Sequence, residues 1–309
     1  MLPPLLLVGP QGPKPDLGAA LKEAGVAGPV ALITAGWQER ESDDQALVAE
    51  LGVPAVNLRL HARSEELFAA DKELAKAHAE RQVRLKRMHE VYRIRLDHAF
   101  AAARAISVRH LDDATLDEER QVSVEVLRYL DLDHLERSRG IHAEFDAKWR
   151  SNERPQVARH RKDLAALIEP TTAVVVAGGH VASLLYRLKL FDVLSLTGKR
   201  RWVAAAAGAM ALTERIYLFH DFAPHGTGVA EVLDAGLGLV KDLVVLPDAK
   251  RRIKTDDREG IRRFVQRVSP ATCSAMDAGA RIFVDDGRVT KAFEHRLMPD
   301  GELQAGWKP

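Results

Sequence analysis

A chain of 309 residues, 46% hydrophobic and 29% charged, is long enough for one large domain or two. Its formal net charge of +1 gives no global pull toward nucleic acid or an anionic membrane, so neither is expected as a partner. The single cysteine, Cys273, excludes an internal disulfide and an all-cysteine metal cage, and fits a reducing cytoplasm.

The opening MLPPLLLVGPQGP holds an apolar run but no positive n-region. The run is too short for a signal h-region or a membrane span, so Leu5–Val8 reads as a first strand. PDLGAALKEAG (15–25) reads as a helix closed by Gly25, and VALITAG (30–36) as a strand. SDDQALVAELG (42–52) reads as a helix capped by Ser42, and AVNLRL (55–60) as a strand. Strand–helix alternation with short loops predicts a doubly wound, mostly parallel sheet.

Residues 62–166 have a different texture. From Ser64 to Val108 there is neither Pro nor Gly, and Leu85, Met88, Tyr92, Leu96, Ala99, Ala103 and Ile106 recur at steps of three and four. One continuous helix over this stretch would be roughly 65 Å long. A second helical stretch carries Leu116, Val122, Val126, Leu127 and Leu130. Ile141, Phe145 and Trp149 continue its stripe past Gly140, and Pro155 opens a third helix. The zone reads as a helical arm inserted into an α/β domain built from residues 1–61 and 167–309. So long a helix needs its own returning helix or a second subunit to cover its stripe, and a homodimer through the arm is expected. The arm's His78, His89 and His98 lack the i, i+4 spacing of a helical metal pair and read as surface groups.

After the arm, TTAVVVAGG (171–179) reads as a strand and VASLLYRLKLF (181–191) as a helix. RWVAAAA (201–207) reads as a strand and turn, RIYLFHDF (215–222) and LVVLP (243–247) as strands, and REGIRRFVQRV (258–268) as a helix. ARIFVDDGRVTKAF (280–293) reads as a hairpin around Asp286-Gly287. Cys273 reads as a small buried residue ahead of a strand.

The order of four motifs then becomes specific. A strand ends in Gly178-Gly179-His180 before a helix, and a second runs into Ala204-Ala205-Ala206-Ala207-Gly208-Ala209-Met210. Ala235-Gly236-Leu237-Gly238-Leu239 precedes another strand, and Met276-Asp277-Ala278-Gly279-Ala280-Arg281-Ile282 comes near the end. This series resembles the S51 peptidase family, which includes peptidase E and cyanophycinase, within the class I glutamine amidotransferase-like fold. Residues 1–61 and about 167–290 fit the pattern; the arm does not. The resemblance implies a flavodoxin-like α/β sheet with a long helical insertion. It also implies a serine on a Gly-x-Ser-Ala-Gly-Ala elbow, a catalytic His after Gly-Leu-Gly-Leu, and an Asn after Gly-Gly.

Here the elbow position holds Ala206, whose methyl group cannot attack a carbonyl. The position matching the His is Asp248, and that matching the Asn is His180. What the resemblance leaves is an oxyanion cradle of backbone N–H groups around Gly178, Gly179 and Ala207, helped by the positive end of the helix from Gly208. The expected function is therefore a non-catalytic homologue that binds a small acidic or peptide ligand or serves as a scaffold, without cofactor or metal. The other reading is an active hydrolase using displaced His and Asp groups, or a metal, in the same crevice. His180 is either a ligand contact or a helix-start residue bonded to backbone. His220, Asp221 and His225 are either a polar loop beside the crevice or two histidines and a carboxylate for a metal, and Asp221 could be the relic of the family's carboxylate. Lys250, Arg251, Arg252 and Lys254 read as a solvated loop paired with Asp256 and Asp257, or as a clamp for an acidic substrate.

Overall fold

The computed structural model describes residues 2–12, 14–109, 114–219, 221 and 229–307. The first third of the α/β framework comprises β1 (Leu5–Val8), α1 (Leu17–Glu23), β2 (Val30–Ile33), α2 (Gln45–Leu51) and β3 (Ala55–Asn57). Four helices follow: α3 (Leu60–Ala70), α4 (Lys72–Ser107), α5 (Ala114–Trp149) and α6 (Pro155–Ile168). The chain returns to β4 (Ala173–Val176), α7 (Val181–Leu190), α8 (Val193–Thr197), β5 (Arg201–Ala205) and α9 (Ala207–Leu212). It continues through β6 (Ile216–Leu218), β7 (Glu231–Asp234), β8 (Leu243–Pro247), α10 (Ala249–Arg252) and α11 (Arg258–Val268). It closes with β9 (Thr272–Met276), β10 (Arg281–Asp285), β11 (Arg288–Leu297) and β12 (Leu303–Trp307).

The main sheet runs β3-β2-β4-β5-β1-β10-β11-β9-β8, with β12 on β11. Strands β1 to β5 pair in parallel, so their C-terminal ends share one edge. The apolar runs of β1, β2 and β4 are buried on both faces, as parallel strands under helices must be. Leu6, Val8, Leu32 and Val175 meet Leu17 and Leu21 of α1 and Leu51 of α2 on one side. Leu5, Leu7, Ile33 and Val176 meet Leu164 of α6 and Leu184 of α7 on the other. This is the expected doubly wound α/β arrangement. The hairpin at Asp286-Gly287 also forms, with both residues at positive φ, as a tight turn that follows strand twist requires. Among the described residues no helix is long and apolar enough to cross a membrane.

Several local expectations are corrected. The helix after β2 starts at Gln45 with Asp44, not Ser42, at its N-cap position. The strand 55–60 stops at Asn57, because Arg59 turns to φ 50° and Leu60 opens α3. The single helix expected from Ser64 to Val108 breaks at Asp71. There the Asp71 carboxylate accepts from the Leu74 N–H at 3.0 Å and from Arg154 Nη2 at 2.7 Å, a cap that satisfies an orphan donor of α4. The Arg154 guanidinium holds the Asp71 carboxyl below its ordinary pKa. Among the described residues of RIYLFHDF, Ile216–Leu218 is strand; His220 and Phe222 lie outside the described residues. Cys273 stands inside β9, where burial pushes its thiol up to about 12.

Helices α4 and α5, 36 residues each, pack along one another and onto the α/β body. Val122 and Val126 point outward, while Val124, Leu127 and Leu130 form the buried stripe of α5. A buried polar cluster joins the hairpin to the body. Asp131 of α5 receives Arg267 Nε of α11 at 2.7 Å, Tyr92 Oη of α4 at 2.7 Å and Tyr217 Oη of β6 at 3.0 Å. Arg267 also donates to the Ala230 carbonyl at 2.7 Å, and the Val232 N–H to Tyr92 Oη at 3.0 Å. The Asp131 and Arg267 side chains are each 2% exposed. His89 is likewise drawn in, 3.3 Å from His134 and 3.4 Å from Glu231. His78 packs against Phe68 with the rings tilted, and burial pulls its pKa down to about 4. Neither is the surface group expected; His98 is exposed.

Candidate functional site at the C-terminal edge of the parallel strands

The sharpest bend on this edge lies between β5 and α9. Ala206 sits there at φ 49° and ψ −115°, a region that L-residues rarely occupy. Its N–H donates to the Val8 carbonyl of β1 at 3.0 Å, and its carbonyl accepts from Met210 N–H at 3.2 Å. The alanine therefore links the end of a buried strand directly to the first turn of a helix. Gly208 makes the bend sterically feasible: a Cβ there would lie 2.8 Å from Val176 Cγ1 and 3.0 Å from the Val176 carbonyl. The small residues of the AAAAGAM run are thus explained by close approach of α9 to β4.

The neighbouring corner after β4 closes on the same point. Gly178 and Gly179 have φ of 88° and 97°. A Cβ on Gly178 would stand 2.8 Å from the Ala205 carbonyl and 3.6 Å from the Ala206 methyl, so a side chain here would fill the space in front of the elbow. The His180 N–H donates to the Gly36 carbonyl after β2 at 2.7 Å. The N–H groups of Gly179 and Ala207 have no acceptor among the described residues. These are two of the cradle donors expected from the sequence. The His180 ring caps α7 through Nδ1, which accepts from Ser183 N–H at 3.2 Å. That assigns its proton to Nε2 and gives it the role of a helix-start residue.

Asp248 reaches this edge indirectly. Gly9, directly after β1, packs so closely that a Cβ would lie 2.0 Å from the Asp277 carbonyl. Asp277 follows Met276, whose carbonyl accepts the Asp248 N–H at 2.8 Å, and its carboxylate accepts the Lys250 N–H at 3.0 Å. Asp248 itself adopts φ 61°, which aspartate tolerates. Its carboxylate lies 3.5 Å from Arg251 and 3.8 Å from Arg252. Arg251 and Arg252 thus pair with Asp248 rather than with Asp256 and Asp257, and Asp257 instead caps α11 by accepting the Gly260 N–H. Asp221 is tied to the same segment: its N–H donates to the Arg252 carbonyl and its carboxylate accepts the Lys254 N–H, both at 2.8 Å. His220 and His225 lie outside the described residues. Among the described residues no three His, Cys, Asp or Glu side chains cluster to hold a metal ion.

The sequence reading did not single out Gly9 and Gly36 as site residues and carried Asp277 only within the fourth motif. The signal was present: LLLVG, VALITAG and VVVAGG each end a parallel strand in glycine; Gly36 and Gly179 bridge each other, and Gly9 packs on Asp277. Chemically, the edge offers backbone donors and the Ala206 methyl, and no hydroxyl or thiol stands at the bend.

No family model matches the sequence, and no curated protein does so either. Among solved structures, a peptidase from an acI-B1 Actinobacterium is similar to this chain at 12% identity with a TM-score of 0.47; the match covers 100% of this chain and 95% of that one.

Proposed function

We propose that the protein is an S51 peptidase-like homologue in which Ala206 replaces the nucleophile, and that it binds a small acidic or peptide ligand without cleaving it. One observation carries this reading: an alanine held at φ 49°, ψ −115° at a strand–helix bend. Such strain is retained where the surrounding structure needs the bend, and here the residue at its apex has no reactive atom. Asp248 in the histidine position supports the reading, since its carboxylate is held by Arg251 and Arg252. The unbonded N–H groups of Gly179 and Ala207 would receive a ligand carboxylate or carbonyl oxygen.

The test is incubation of the whole protein with aspartyl and isoaspartyl dipeptides, alongside calorimetric titration of the same peptides. Binding without turnover is expected. Ala206→Ser alone is expected to stay inactive, because a serine hydroxyl without an adjacent base is a weak nucleophile. Turnover that scales with protein and disappears in Asp248→Ala would overturn the proposal in favour of displaced catalytic groups.

A further inference from the structure

A cavity of about 560 Å³ lies away from the Ala206 edge, where the helical hairpin meets α7. Its walls come from α4 (Arg81), α5 (Phe145, Asp146), the turn at Ser151–Glu153 and α7 (Tyr186, Lys189). Its volume falls in the range of small-ligand sites.

Three cations line this space, and two of them, Arg81 and Lys189, have incomplete partners. The Arg81 guanidinium stacks on the Phe145 ring, 3.9 Å from its centroid. It makes no ion pair or hydrogen bond among the described residues, and its Nε is buried without an acceptor. Lys189 Nζ donates to the Ala235 carbonyl at 2.7 Å, which leaves the rest of its three donors unassigned. Burial depresses the pKa of both side chains. The carboxylates nearby do not complete them. Asp234 holds His142 Nε2 at 2.9 Å with one oxygen and its neighbour's Ala235 N–H at 2.7 Å with the other. Glu153 pairs with Arg150 at 3.7 Å and Asp192 with Arg161 at 3.2 Å. Asp146 is exposed at the mouth. A half-buried cation without a partner is costly unless an anion joins it, and a guanidinium presents a fork suited to two oxygens. The wall also carries apolar side chains, Phe145, Leu188 and Leu237 among them, beside the polar ones of Ser151, Asn152 and Glu153.

We propose that this cavity binds a small organic oxyanion, a carboxylate or phosphate group on an apolar body, with its oxygens on Arg81 and Lys189 and its body against Phe145 and Tyr186. The proposal is independent of the reading of the Ala206 edge, since no residue of that edge lines the cavity.

The experiment titrates the full-length protein with benzoate, phenyl phosphate and inorganic phosphate, read by calorimetry and thermal unfolding. Saturable binding of benzoate or phenyl phosphate is expected, with Tm raised by about 5 °C at a hundredfold excess over Kd. Preference between the two identifies carboxylate or phosphate as the recognised group. Arg81→Met and Lys189→Met should each weaken binding tenfold or more, whereas Arg84→Met, one helical turn away and paired with Glu144, should leave it unchanged. If Arg81→Met does not fold, Lys189→Met carries the comparison. Three results overturn the proposal: no saturable binding of either aromatic anion, binding of inorganic phosphate alone, or equal binding in wild type and Lys189→Met.

Discussion

Ala206 holds a conformation, φ 49° and ψ −115°, that glycine adopts freely and alanine does not. Its Cβ crowds the backbone at a cost of about 1–2 kcal/mol. Replacement by glycine removes that crowding but loosens the unfolded chain, which costs roughly 0.5–1 kcal/mol. Ala206→Gly is therefore expected to leave stability unchanged or raise it by up to about 1 kcal/mol. Ala206→Val, with a branched side chain pressed toward Gly178, is expected to lower it by more than about 2 kcal/mol. Urea unfolding of the two variants checks this. A glycine variant less stable than wild type by 1 kcal/mol or more would mean the bend carries no strain, and the functional argument built on it would lose its foundation.

Among the elements, the hairpin of α4 and α5 is attached to the body by a charge that has nowhere else to go. Asp131 and Arg267 are each 2% exposed and share their hydrogen bonds with Tyr92 and Tyr217. Removing one member leaves the other buried and unpaired. Asp131→Ala is thus expected to destabilise the protein by about 3–5 kcal/mol. The double variant Asp131→Leu with Arg267→Met should recover most of that loss, since apolar replacement of a buried pair is often neutral. Denaturant midpoints of the single and double variants decide it, and a double variant as unstable as the single would show that the pair is net stabilising. None of this was legible in the sequence, because Tyr92, Asp131, Tyr217 and Arg267 come from four elements far apart in the chain. What was legible was local. Buried parallel strands announce themselves as apolar runs, and Asp286-Gly287 announces a tight turn, because each is decided by its own residues. The break at Asp71 escaped for the opposite reason: it depends on Arg154, some eighty residues on. The candidate edge fell between these cases. Gly178, Gly179 and Ala206 could be singled out by residue size, while the engagement of Asp248 with Arg251 and Arg252, and of His180 with the start of α7, required coordinates.

For the molecule as a whole, the hairpin buries one side of each long helix and leaves apolar side chains on the other. Val91 and Ile94 of α4 are 58% and 60% exposed, and Val126 and Tyr129 of α5 are 44% and 61% exposed. Val122, Val126 and Tyr129 fall at i, i+4 and i+7, so they form one stripe on α5 rather than scattered residues. Single exposed apolar residues need no explanation, but a stripe on a helix of about 54 Å is a surface that water covers poorly. A second copy of the chain is the simplest cover, because two-fold symmetry uses one patch twice. A stable interface of that kind buries roughly 1,200 Å² or more, which requires the stripes of both helices rather than α5 alone. Sedimentation of the wild-type protein is therefore expected to show a dimer. Val126→Asp with Tyr129→Asp should shift it to monomer with little loss of stability, since exposed positions away from buried networks tolerate such changes within about 0.5 kcal/mol each. A wild-type chain that sediments as a monomer at roughly 100 μM, well above the Kd of a standard-sized interface, would leave the hairpin without a symmetric partner.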